Sequence, residues 1–213
     1  MTFLMSISSA RRAALLAAAL GATTLLGACA PLVVGGAMVG GAMSITDRRT
    51  SGAQVEDETL EFKAAARLRE ALGERGHVNV TSFNRTALIT GEVPTEADRA
   101  AAEQVVSRIE NIRATVNELA VAGNASLTSR SNDLILTSKV KAAYFEAKDL
   151  QFNAIKVVAE RGTVFLMGRV TEREAARATE LARGFSGVTK VVRVFEVITE
   201  AELARIQPPA SKK

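Results

Sequence analysis

The chain repeats itself, and that repeat limits its fold more than any other feature. Val78-Asn79-Val80-Thr81 through Ala87-Leu88-Ile89-Thr90-Gly91-Glu92-Val93 aligns with Ile155-Lys156-Val157-Val158 through Val164-Phe165-Leu166-Met167-Gly168-Arg169-Val170, at a constant offset of 77 residues. One residue of slippage makes the offset 76. Thr95-Glu96 then falls on Thr171-Glu172, Ile109 on Phe185, Ile112 on Val188 and Val116 on Val192. Such self-similarity means one supersecondary unit used twice.

Each unit predicts the same order of elements. A helix comes first, at 58–73 and 133–147, followed by two strands joined through Asn84-Arg85 and Arg161-Gly162. A second helix runs from Thr95 to Ile109 and from Thr171 to Phe185. Its N-caps are Thr95 and Thr171, with Asp98 and Glu174 three residues on, an acidic variant of the capping box. A short strand near Thr115–Val121 and Lys190–Ile198 closes each unit. Each of the two tandem units thus reads as helix, two strands, helix and strand, and a sheet of three strands has one face that two helices can cover (αββαβ). The units are expected at 57–122 and 132–200, with a small, polar linker at 123–131 and a polar tail at 201–213. Gly168 is placed just past the second strand, where the chain turns toward the helix capped by Thr171.

Residues 1–28 read as an export signal. Arg11 and Arg12 precede an uncharged Ala/Leu-rich stretch, Ala13 to Leu26, that is too short to span a bilayer. It ends Leu26-Gly27-Ala28-Cys29, which resembles the lipobox of bacterial lipoproteins. The resemblance implies a signal peptide cleaved before a diacylated, palmitate-bearing Cys29. An ordinary secretory signal with an incidental Cys is the alternative, and Arg11-Arg12 leaves a twin-arginine route open. Cys29 is the only Cys, so no intramolecular disulfide forms. By the same resemblance, Ala30 in place of the Asp that commonly holds lipoproteins in the inner membrane predicts transfer to the outer membrane, facing the periplasm. Residues 29–56 then form a lipidated, Gly-rich tether. Its uncharged part, 30–46, is either a helix on the membrane surface or a flexible leader.

Little in the remaining 185 residues suggests catalysis. His77 is the only His, and the only thiol is expected to be acylated. This removes Cys–His and Ser–His nucleophile pairs and any multi-His metal site. Gly35-Gly36 and Gly40-Gly41 follow no strand and open no phosphate-cradling helix. Glu172 and Glu174 do not share a helix face. With no Trp and one Tyr, base-stacking platforms are scarce. The expectation is no enzyme, cofactor, metal, nucleic acid or small-molecule substrate.

Charge separates the units. Residues 57–121 carry eight bases and eleven acids, whereas 133–200 carry eleven bases and nine acids, so the second unit is the candidate for an anionic surface. Leu136, Val140, Ala143 and Tyr144 recur at helical spacing and face the sheet. Leu134, Ile135 and Phe145 are left off that stripe, interleaved with Lys139, Lys141 and Lys148. Such a face suits acyl chains and anionic headgroups. Alternatively these side chains cover the first unit or a second copy of the chain.

The strand–turn–strand ending in Gly168-Arg169-Val170, the helix headed Thr171-Glu172-Arg173-Glu174, and Gly187-Val188-Thr189-Lys190-Val191 resemble the BON-domain family. Together with the lipobox, Asp47-Arg48-Arg49-Thr50 and the tandem units, they are similar to its two-domain outer-membrane lipoproteins. The first unit departs from the pattern with Asn111 at the place of Gly187 and a Pro at 94. Ile135 stands where relatives often carry an aromatic. The resemblance implies an α+β fold of two tandem domains, each a small three-stranded mixed sheet packed against two helices. It also implies a non-catalytic protein whose second domain binds anionic phospholipid and supports outer-membrane integrity. A lipid-anchored adaptor for envelope-assembly or cell-wall proteins is the alternative.

Cys29→Ala is expected to leave an unlipidated protein, soluble or retained as precursor, without palmitate labelling. Labelling that survives the change overturns the lipobox reading.

Overall fold

The computed structural model describes residues 47–206. The first unit comprises α1 (Ser51–Leu72), β1 (His77–Phe83), β2 (Thr86–Val93), α2 (Glu96–Ser107), β3 (Ala114–Asn117) and β4 (Ala120–Val121). The second comprises α3 (Leu127–Glu146), β5 (Ile155–Glu160), β6 (Thr163–Val170), α4 (Glu172–Arg183) and β7 (Lys190–Val197), followed by a short α5 (Glu200–Ile206). In both, an antiparallel hairpin pairs through its second strand with a parallel third strand. The first unit's third strand is interrupted at Glu118-Leu119, so β3 and β4 pair with β2 separately. The α+β architecture that the resemblance implies is what the chain adopts.

Both hairpins turn on the expected residues. Asn84, Arg85, Arg161 and Gly162 all have positive φ, as a two-residue turn matched to strand twist requires. Each turn is held by a carboxylate on the preceding helix. Asp57 accepts the backbone N–H groups of Asn84 and Arg85 at 2.7 and 2.8 Å, and Asp133 accepts those of Arg161 and Gly162 at 2.8 and 2.9 Å. Burial alone would raise the Asp57 carboxyl. Donors from Arg85, Ser82, Arg49 and Asn84 instead hold it below its ordinary range. These two buried carboxylates stand 76 residues apart, on the repeat.

Thr95 and Thr171 cap α2 and α4 as expected. Glu174 completes a reciprocal capping box, but Asp98 does not return to the cap amide. It accepts the Thr95 hydroxyl at 2.6 Å and pairs with Arg75 instead. Asn111 and Gly187 both have positive φ, so the departure at Asn111 preserves the backbone, Asn being tolerant of that region.

Several boundaries differ from expectation. Helix α1 begins at Ser51, capped by Thr50, so residues 47–56 of the expected tether belong to the fold. Helix α3 begins at Leu127, capped by Ser126, inside the expected linker. The expected polar tail contributes α5. Polar sequence hid all three, because caps and tertiary partners rather than apolar periodicity set these starts.

Neither sheet has a free face. Ala87, Ile89 and Val93 pack under α1 and α2, and Val164, Leu166 and Val170 under α3 and α4. The alternate residues Phe83, Leu88, Phe165 and Met167 form a third cluster joining the two sheets, with Val116, Val158, Val192 and Val194 around it. Strands buried on both faces read as unbroken apolar runs, as Ala87-Leu88-Ile89 and Val164-Phe165-Leu166-Met167 do.

Gly168 lies within β6 rather than beyond it, opposite Ile155. A Cβ there would sit 2.2 Å from the Ala154 carbonyl oxygen. The matching Gly91 would place one 1.9 Å from the His77 oxygen. Gly168→Val is therefore expected to destabilise the second unit by about 1–3 kcal/mol in a thermal melt. An unchanged melt would mean the strands can separate there at no cost.

Candidate functional site: an apolar and basic helix face

The outer side of α3 carries the residues singled out in the sequence. Leu134, Ile135 and Phe145 are 70, 52 and 70 % exposed, while Leu136, Val140 and Tyr144 on the opposite side are buried. The Tyr144 hydroxyl donates to the Ala178 carbonyl at 2.8 Å, fastening α3 to α4. Phe145 meets Phe152 edge to face, with centroids 5.2 Å apart, so its ring is oriented while still open to solvent. Those exposures show that the first unit does not cover this face.

Leu127 was missed. It is 81 % exposed and lies seven residues before Leu134, which itself lies seven before Lys141. Leu127, Leu134 and Lys141 thus share a stripe with Phe145, running about 27 Å at 1.5 Å per residue. The seven-residue spacing is the signal the sequence holds for Leu127, which lies within the polar stretch expected to be linker.

The lysines divide the charge of the second unit sharply. Lys156 reaches Glu61 at 2.7 Å, Arg161 reaches Glu92 at 3.3 Å and Lys190 reaches Glu118 at 3.6 Å. In each pair the base belongs to the second unit and the acid to the first. Part of the charge difference between the units is therefore complementarity across their seam. Lys139, Lys141 and Lys148 enter no ion pair among the described residues and stand exposed beside the apolar stripe. His77, the only His, faces the buried Glu92 at 4.0 Å in the first unit, away from these lysines in sequence and fold. Cys29 and the 30–46 stretch lie outside the described residues.

The N-terminal end of the described chain is clamped to the same unit. The buried Arg48 guanidinium makes two 2.7 Å bonds to both Glu174 oxygens and a third, at 2.8 Å, to the Arg169 carbonyl. Burial would raise the Glu174 carboxyl, but Arg48 and the Thr171 amide hold it low. Arg49 turns the other way, to Asp47 and Asp57, and stacks over Phe83 at 4.2 Å.

Two αββαβ units joined sheet to sheet, one of them with an exposed apolar and basic helix, define a tandem-domain protein. No helix among the described residues is long and apolar enough to cross a membrane. The BON domain model matches residues 56–123 and 132–199. The chain is 36% identical over 196 residues to the outer membrane lipoprotein DolP of Haemophilus influenzae, covering 91% of this chain and 100% of that one. It is 30% identical over 154 residues to the 21 kDa hemolysin of Actinobacillus pleuropneumoniae, covering 71% and 79%. Among solved structures, the C-terminal domain of CdsD, a type III secretion protein of Chlamydia trachomatis, aligns over 67% of each chain at 13% identity and a TM-score of 0.27. The chain belongs to the BON-domain family, as a two-domain outer-membrane lipoprotein of the DolP type. Its place is the outer membrane, held by lipid and facing the periplasm.

Removing one partner of a buried ion pair strands the other. Arg48→Met is therefore expected to cost about 3–5 kcal/mol in a denaturant melt. Because Glu174 is held low in the folded state, the stability from the pair is complete above the free carboxyl range, about 4.3, and is lost as pH falls through the folded value. The acid side of the stability–pH curve should flatten in Arg48→Met. An unchanged slope would assign the acid sensitivity to Asp57.

Proposed function

We propose that this lipoprotein, anchored through Cys29, recognises anionic phospholipid with the outer face of α3 and thereby supports outer-membrane integrity, without catalysis. The carrying observation is the coincidence of an exposed apolar stripe on α3 with three exposed lysines outside every ion pair of the described residues, Lys139 and Lys141 on the helix and Lys148 just past its end. Apolar side chains at such a face enter the acyl boundary while the lysines meet headgroups. The anchor confines the protein to a membrane surface, so modest affinity of the face suffices.

In a soluble form beginning at Asp47, Lys139→Glu with Lys141→Glu is expected to lower affinity for anionic vesicles more than tenfold, at about 1 kcal/mol per base. The preference over zwitterionic vesicles should vanish with it. Raising salt weakens the wild type in the same direction. Ile135→Ser with Phe145→Ser should weaken binding to all vesicles while leaving the fold intact, since both side chains are more than half exposed. A folded protein that ignores anionic vesicles even at low salt overturns the lipid reading and leaves an adaptor role.

A further inference from the structure

A cavity of about 540 Å³ opens between the C-terminal half of α3 and the first unit. Its apolar wall is made by Phe83, Tyr144, Phe145, Phe152 and Ile155, and Ala142 lies at its edge. That volume is within the range of small-ligand sites. Three bases line it, but two are already matched: Arg49 by Asp47 and Asp57, and Lys156 by Glu61. Lys141 is not matched by any ion pair among the described residues, and the lining holds no carboxylate. The chemistry is therefore that of one chain-like apolar occupant with one uncompensated positive charge beside it. Phe145 belongs both to this wall and to the exposed stripe, so the cavity adjoins the exposed face of α3.

We propose that the junction of the two domains takes a single acyl chain of an anionic phospholipid, its headgroup seated at Lys141 and the chain running past Phe145 between Phe152 and Phe83. The proposal rests on the phospholipid reading and adds a role for the first domain. Phe83, stacked under Arg49, supplies the wall that the second domain lacks. Lipid is then gripped by a built pocket, not only attracted to a surface.

The test uses the full lipidated protein in vesicles of phosphatidylethanolamine and phosphatidylglycerol, with a trace of phosphatidylglycerol carrying a diazirine at one chain end. After irradiation, peptide mapping is expected to place adducts on Phe83, Tyr144, Phe152 or Ile155. Ala142→Trp, which puts bulk at the cavity edge from an exposed position, should lower those adducts at least tenfold and leave adducts at Leu134 and Ile135. Lys141→Gln should lower them severalfold for the phosphatidylglycerol probe and not for a phosphatidylcholine probe. Adducts confined to Leu134 and Ile135, unchanged by Ala142→Trp, overturn the pocket and leave the helix face standing. No adducts anywhere on α3 overturn both.

Discussion

The contact between the two sheets organises everything else in this molecule. A three-stranded sheet covered by two helices still has a second face, and here Phe83 and Leu88 meet Phe165 and Met167 across it. Burying that face in the partner sheet forces both helix pairs outward. It also brings the basic residues Lys156, Arg161 and Lys190 against Glu61, Glu92 and Glu118, which could not otherwise meet. The outer side of α3 is free because the inner surfaces are occupied by each other.

The seam also collects groups that water would otherwise serve. Glu92 is fully buried and met by Arg161, while its other oxygen, which faces His77 at 4.0 Å, accepts no hydrogen bond. Glu160 stands near it from the other domain. Burial first, then Glu92 and Asp133, push the Glu160 carboxyl above its ordinary range. A carboxyl raised in the folded state costs stability as pH climbs through it, so Glu160 makes this part of the seam less stable when ionised. That opposes the pull of Asp57 and Glu174, which are held low and favour the folded state at neutral pH.

Much of the fold could be read from the sequence because local chemistry specified it. Turn pairs with positive φ, threonine caps and the offset of 76 to 77 residues each name a backbone shape within a few residues. The helix face was legible for the same reason: Leu136, Val140 and Tyr144 on one stripe leave Leu134, Ile135 and Phe145 on another. What escaped was set by distance. Arg48 and Glu174 are 126 positions apart, and nothing near either names the other. Summed charge cannot tell a lysine facing water from one facing a glutamate in the next domain, so Lys156 and Lys141 counted alike. The double burial of the sheets was written in the apolar runs at 87–89 and 164–167, where a half-exposed strand would alternate.

The Arg48 clamp changes how the molecule carries load. In sequence, the leader belongs to the first domain, since Thr50 caps α1. In space, its last buried side chain is fixed to the second domain at the start of α4. A pull transmitted along the chain toward Asp47 is therefore borne by both domains together, through Arg48 on one and Arg49 on the other. The tug that would peel the first domain off the second must first break a doubly bonded, buried ion pair, so tension at the anchor is shared across the seam instead of opening it.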